Sequence, residues 1–268
     1  MGQANHFLIT ALIGLDYIDN NDDVSCPESF STSWNPIDKK QSVDRTRQYI
    51  LKSSLAWAID CLDSYMSMCN QEPGIIQDGN LISDFDNAGK SVNKKFRALS
   101  RYIHSTYDFD IYMSMVGLAI QWRNNTIHSA GENKIEDEHR KVLSNSAERI
   151  KELFCNLDIN TTLCRFDSRQ NPTFKEVTSI VRSVQKFVES VDLYLISKMN
   201  ITEYACSILN YHCKSYSISP QIIKTLPEEK RDSKIRTILK NNSFSETSTI
   251  NNAVGTEIND IIESWAKQ

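Results

Sequence analysis

At 268 residues and a formal charge of −4, the chain is long enough for one large domain or a domain with an appendage. That charge excludes a globally basic nucleic-acid coat, so any RNA contact must come from a local patch. Hydrophobic residues at 40% are enough for a core, and eight glycines with six prolines are few for a fold built from many tight turns.

Asn5 to Gly14 is apolar but lacks the preceding positive charge and small-residue cleavage pattern of a secretion signal. It is too short to span a bilayer and reads as a buried helix or strand. Asn20 to Gln41, rich in Asp, Ser, Asn and Pro, is expected to be a loop or linker. A helix should follow Ser42, a plausible N-cap, with Leu51, Leu55, Ile59, Leu62 and Met66 on one face and Asn70 to Gly74 as its stop.

After an Asp-rich loop from Asp78 to Asp86, a second helix carries Val92, Phe96, Leu99 and Ile103 as its apolar stripe. Lys90, Lys94, Arg97 and Arg101 form a second stripe, nearly opposite. It is either a solvated charged face or a ridge that contacts phosphates, since all four charges share one sign. A third helix bears Ile111, Met115, Leu118 and Trp122, and a fourth turns Leu143, Ala147, Ile150 and Phe154 inward. Asn160 to Pro172 is expected to be a connection. The fifth helix is the most regular, with Phe174, Val177, Val181, Val184, Val188, Val191 and Leu195 as a bundle seam or a dimer contact. Short helices are expected over Ile201 to Cys213, over Glu228 to Leu239 with a basic surface, and around Ile258, Ile261, Ile262 and Trp265. Asn241 to Asn252 is polar. The fold class is all-α, with residues 1–41 as an N-terminal segment and linker, 42–200 as a helical bundle, and 201–268 as a C-terminal helical extension.

Seven cysteines, an odd number without a Cys-x-x-Cys pair, fit reduced thiols of a cytoplasmic protein better than a disulfide framework. His212, Cys213 and Cys206 have no recognisable zinc-ligand spacing, and no metal or cofactor is expected.

The chemistry concentrates where the third helix ends, at Gln121-Trp122-Arg123-Asn124-Asn125-Thr126-Ile127-His128. His128 can move protons near neutral pH. Arg123 offers a permanent charge and a planar donor fork suited to phosphate, and Asn124 an amide able to orient either group. The bland alternative is that Arg123 and His128 are cations favoured at a helix C-terminus. On a continuous helix Asn124 and His128 share a face, whereas Arg123 points about 140° from His128. Either the helix ends between them or the missing group comes from a second subunit. His6, His104, His139 and His212 read as surface or structural, and Asp60 and Asp63 are expected to be exposed.

Arg123-Asn124-Asn125-Thr126-Ile127-His128 resembles the signature of the HEPN superfamily: an arginine, a polar residue next, and a histidine four to six positions on. The helix around Leu55 to Tyr65 is similar to the first helix of such domains, and the resemblance covers roughly residues 42–200. It implies a helical bundle, a homodimer with a composite cleft, and metal-independent cleavage of RNA by its own 2′-OH. In that role His128 is the acid/base, Arg123 stabilises charge on phosphorus and Asn124 orients. It also implies a toxin or antiviral-defence effector, restrained by a regulatory protein, a nucleotide signal or a modification. Residues 20–41 and the basic C-terminal segment are candidates for that control. Two other classes stay open: a non-catalytic helical module binding RNA or protein through Lys90, Lys94, Arg97 and Arg101, and a nucleotide-binding partner of a nucleotidyltransferase.

Overall fold

The structure is a computed structural model and describes residues 2–22, 24–103, 106–127, 133–242, 244 and 258–267. Among the described residues there are helices and no strands, so the chain is all-α. In order they are α1 (Gly2–Asn20), α2 (Lys39–Asn70), α3 (Gly79–Ala88), α4 (Val92–Tyr102), α5 (Tyr107–Ile127), α6 (Asp137–Asn145) and α7 (Ala147–Leu153). Then come α8 (Ile159–Asp167), α9 (Phe174–Lys198), α10 (Ile201–Ser215), α11 (Pro220–Lys224), α12 (Glu228–Asn241) and α13 (Ile258–Lys267). No helix among the described residues is long and apolar enough to cross a membrane.

Contacts divide the chain into two units, Met1–Ser64 with His104–Ser190, and Tyr65–Ile103 with Val191–Gln268. Each is discontinuous in sequence, unlike the three consecutive stretches read from composition, and the division falls within α2 and α9.

The first unit is built around α5. Every residue from Ser114 to Trp122 on it is buried, so neighbours cover it on all sides. Phe109 stacks on Phe187 of α9, Tyr112 meets Phe154 after α7, and Trp122 meets Phe166 of α8 edge to face. His139 of α6 is buried, with its Nδ1 3.2 Å from Ser114 Oγ. Its ring lies against Gly117, where an added Cβ would come within 2.8 Å of it. This histidine is a core residue, which settles the surface-or-structural alternative for it. At the start of α5, Arg149 donates to both Asp108 oxygens at 2.9 and 2.8 Å. Those hydrogen bonds hold the Asp108 carboxyl below its usual range.

The expected stripe on α2 (Leu51, Leu55, Ile59, Leu62, Met66) is buried, and so is the one on α5. On α9 the buried seam is broader than expected. Ile180 and Phe187 join the valines, Val188 is only half-buried and Phe174 is 43% exposed. Because Val177, Val181, Val184 and Val191 are buried within the chain, that seam is not a free dimer surface.

Other expectations are corrected. α1 is a helix but only Leu8 and Leu15 are buried, while Phe7, Ile9, Ile13 and Tyr17 face outward. Its apolar residues occupy more than one face, and only the Leu8/Leu12 side packs with Leu51, Ala58, Val177 and Val181. α2 starts at Lys39, before Ser42, because Asp38 Oδ1 accepts from Gln41 N at 2.9 Å and acts as the cap. The Asp-rich stretch is α3, capped by Asp78, with Leu81, Phe85 and Ala88 buried. The fourth helix breaks at buried Ser146 into α6 and α7, and Ala147 is only half-buried. The expected connection contains α8, capped by Asp158, with Ile159, Leu163 and Phe166 buried.

In the second unit α10, α12 and α13 share a core of Ile208, Leu209, Ile235, Ile238, Ile262 and Trp265, among others. Trp265 Nε1 donates to Asn210 Oδ1 at 2.8 Å, and Lys224 Nζ sits 4.9 Å from the Trp265 ring centre. Cys206 and Cys213 belong to this core, His212 packs on Tyr216, and no metal-holding cluster occurs among the described residues. Most of the polar stretch Asn241 to Asn252 lies outside the described residues.

After α2, Gly74 passes so close to the helix end that an added Cβ would lie 2.6 Å from the Cys69 carbonyl oxygen. Backbone cannot yield cheaply there. Gly74→Ala is expected to destabilise the protein by about 1–3 kcal/mol, read by chemical denaturation. An unchanged midpoint would show that the turn relaxes freely.

Candidate active site

The chain leaves the core at one point on α5. Trp122 is buried, its Nε1 donating to the Gln170 carbonyl at 3.1 Å, and Arg123, Asn124, Asn125 and Thr126 are each half-buried. The helix pattern explains this, because an all-round apolar run meets four polar residues and must surface. Thr126 Oγ1 returns to the Trp122 carbonyl at 2.8 Å and satisfies one late backbone acceptor.

Arg123 is held by contacts from two elements. Its side chain is 23% exposed and its Nη2 lies 2.9 Å from Asp60 Oδ1 on α2, whose side chain is 58% exposed. Nη1 reaches Asn124 Oδ1 at 3.4 Å, a long and weak bond. Nε is buried and has no hydrogen-bond partner among the described residues. Asp60 is exposed, as expected, but its pairing with Arg123 is a contact across 63 positions that no local pattern announces.

His128 lies outside the described residues, and α5 ends at Ile127 immediately before it. The structure thus joins Arg123 to Asp60 of α2 and, weakly, to its neighbour Asn124.

Asn125, not singled out in the sequence, holds the chain on the far side of residues 128–132. Its Nδ2 donates to the Asn133 carbonyl at 2.9 Å. Its Oδ1 accepts from Asn133 N at 3.0 Å and from Asn133 Nδ2 at 3.2 Å. An amide that donates and accepts across a loop is a recognisable role for Asn, yet its partner cannot be read from sequence.

The four expected RNA-binding cations are all exposed. Lys94, Arg97 and Arg101 ride the outer face of α4, opposite buried Phe96 and Leu99, and Lys90 precedes the Ser91 cap. Lys95 turns inward and donates to Ser67 Oγ at 2.9 Å. This ridge belongs to the second unit, whereas Arg123 and Asp60 belong to the first.

No protein-family model, curated protein or solved structure matches the chain.

The Asn125 bonds and the Asp60 pair should differ in weight. Asn125→Ala leaves half-buried backbone groups of Asn133 without partners and is expected to cost about 1–3 kcal/mol. Asp60→Asn loses an exposed ion pair and should cost less than about 1 kcal/mol. Equal losses in thermal denaturation would contradict the ranking.

Proposed function

We propose that the protein is a metal-independent endoribonuclease of HEPN type, with Arg123, Asn124 and His128 as its catalytic group. The supporting observation is the Arg123 guanidinium. It stands where the buried helix surfaces, is half-buried, and lies one residue from Asn124 and five from His128.

In this reading the ribose 2′-OH attacks the adjacent phosphorus and the bond from phosphorus to the 5′ oxygen breaks. The products are a 2′,3′-cyclic phosphate and a 5′-OH, and DNA survives because it lacks the nucleophile. His128 takes the 2′ proton or supplies one to the leaving oxygen. Arg123 stabilises the charge that builds on the phosphoryl oxygens, and Asn124 orients either partner. In a homodimer, two copies of His128 provide the base and the acid. No cofactor takes part. Such an activity in the cytoplasm fits a toxin or antiviral-defence effector held in check by a regulatory partner. The exposed Lys90, Lys94, Arg97 and Arg101 supply backbone contacts to the RNA.

A second reading is a helical module that binds RNA without cutting it. The pairing of Arg123 with Asp60 and the uninterrupted exposed cations on α4 favour it.

Purified protein is to be incubated with total RNA in EDTA. Cleavage is expected, and His128→Ala or Arg123→Ala should each lower its rate by roughly two to four orders of magnitude with the helical signal unchanged. Full activity in either folded variant refutes the assignment, and retardation without cleavage selects the second reading. Replacing Lys90, Lys94, Arg97 and Arg101 together by Ala should flatten the dependence of log affinity on log salt by up to about 3. An unchanged slope removes the ridge from the interface.

A further inference from the structure

We propose that the outer face of α2 from Arg45 to Asp60 is a track for an unpaired RNA strand. On it Trp57 is the stacking platform for the base next to the phosphate at Arg123. What happens at that phosphate rests on the ribonuclease reading, whereas the binding track does not.

Arg45, Tyr49 and Lys52 lie on one face of α2, and Asp60 and then Trp57 follow further round the helix on the other side of Tyr49. Tyr49 is 71% exposed and Trp57 60% exposed. Trp is normally among the most buried residues on average, so two bare aromatic rings on one helix mark a surface built to be covered.

The surroundings of the two rings differ. Tyr49 lines an open depression of about 680 Å³ together with Lys40, Arg45, Lys52 and Asn171. None of these three cations forms an ion pair with a described residue. Asp44 and Asp38 also line it, but Asp44 bonds Arg47 at 2.9 Å and Asp38 caps α2. The depression is therefore left with excess positive charge. On its other side Tyr49 lines a second depression, of about 330 Å³, with Trp57, Phe7 and Ser53. This one is almost wholly apolar.

Along the axis Tyr49 and Trp57 are about 12 Å apart, and Trp57 is about 4.5 Å from Asp60. Asp60 in turn holds Arg123 at 2.9 Å. Cations, a ring, an apolar slot, a second ring and an arginine follow one another in that order. Charge that tracks a backbone, interleaved with faces on which bases stack, is the recognition chemistry of single strands. A duplex keeps its bases stacked on one another and cannot use the rings. A purely apolar partner would leave the cations at the Tyr49 end without a role.

The test uses an unpaired oligoribonucleotide fully 2′-O-methylated, which has no nucleophile to cleave it, and measures binding by fluorescence anisotropy. Trp57→Ala should weaken binding by about 5- to 150-fold, Trp57→Phe should keep most of it, and a duplex should bind more weakly than the single strand. Trp57 is a surface side chain, and the thermal midpoint of each variant checks that the fold is kept. The track is overturned if the wild type does not bind the oligonucleotide or if Trp57→Ala binds as wild type. Sedimentation in parallel asks whether Trp57→Ala turns a dimer into a monomer. That result with RNA binding unchanged assigns the face to a second copy of the chain and also overturns the track. Cleavage of ordinary RNA by the wild type is followed separately. Trp57-dependent binding without cleavage ends the ribonuclease reading and leaves the track standing, whereas cleavage with Trp57-independent binding does the reverse.

Discussion

The burial of α5 is the constraint on which the first unit depends. Nine successive residues, Ser114 to Trp122, are covered, so the helix can meet water only at its ends. Each large apolar side chain buried there contributes about 1.5–3 kcal/mol, whereas an exposed ion pair contributes about 0–1 kcal/mol. The core, and not the Asp60 pair, fixes where Arg123 stands. The fold's tolerance of change at Arg123 follows from the same inequality. Its side chain is attached to a rigid element but contributes little to holding it.

Two acidic residues show how differently the fold uses a carboxylate. Glu176 is 3% exposed and accepts from Thr173 N at 2.6 Å and Thr173 Oγ1 at 2.9 Å, closing a capping box at the start of α9. Arg165 Nε stands 3.4 Å from its other oxygen. The Glu176 Oε2 is fully engaged, and taking away one partner would strand a buried charge. Asp60 is 58% exposed and accepts from Arg123 Nη2 at 2.9 Å. A pair with one bond at the rim of the core can be exchanged for another anion at small cost. Arg123 is thus paired without being committed to the carboxylate.

What could be read from the sequence was what repeats. Leu51, Leu55, Ile59, Leu62 and Met66 recur with helical period and are buried, as are Ile111, Met115, Leu118 and Trp122. Segments whose few apolar residues sit among polar ones were misread. Leu81, Phe85 and Ala88 anchor α3 inside an Asp-rich run, and Ile159, Leu163 and Phe166 anchor α8 among Asn, Thr and Arg. In both, an aspartate cap stabilises the first turn, and short helices depend on such caps and on tertiary packing more than on composition. The emergence of Arg123 and Asn124 from the buried helix was legible because the apolar run stops at Trp122. The Asp60 partner and the Asn125 bonds to Asn133 were not, because pairing across the fold leaves no mark in local spacing.

A net charge of −4 limits how the chain can hold a polyanion. Long-range attraction is weak for such a protein, and at physiological salt it is screened beyond about 8 Å. Affinity must then come from contacts made at close range, where net charge matters little. Stacking on an exposed ring is of that kind, as is a hydrogen bond from a guanidinium already fixed in place. On the proposed reading, the exposed cations of α4 would add a contribution that salt removes, while the rings on α2 would add one that salt leaves largely intact.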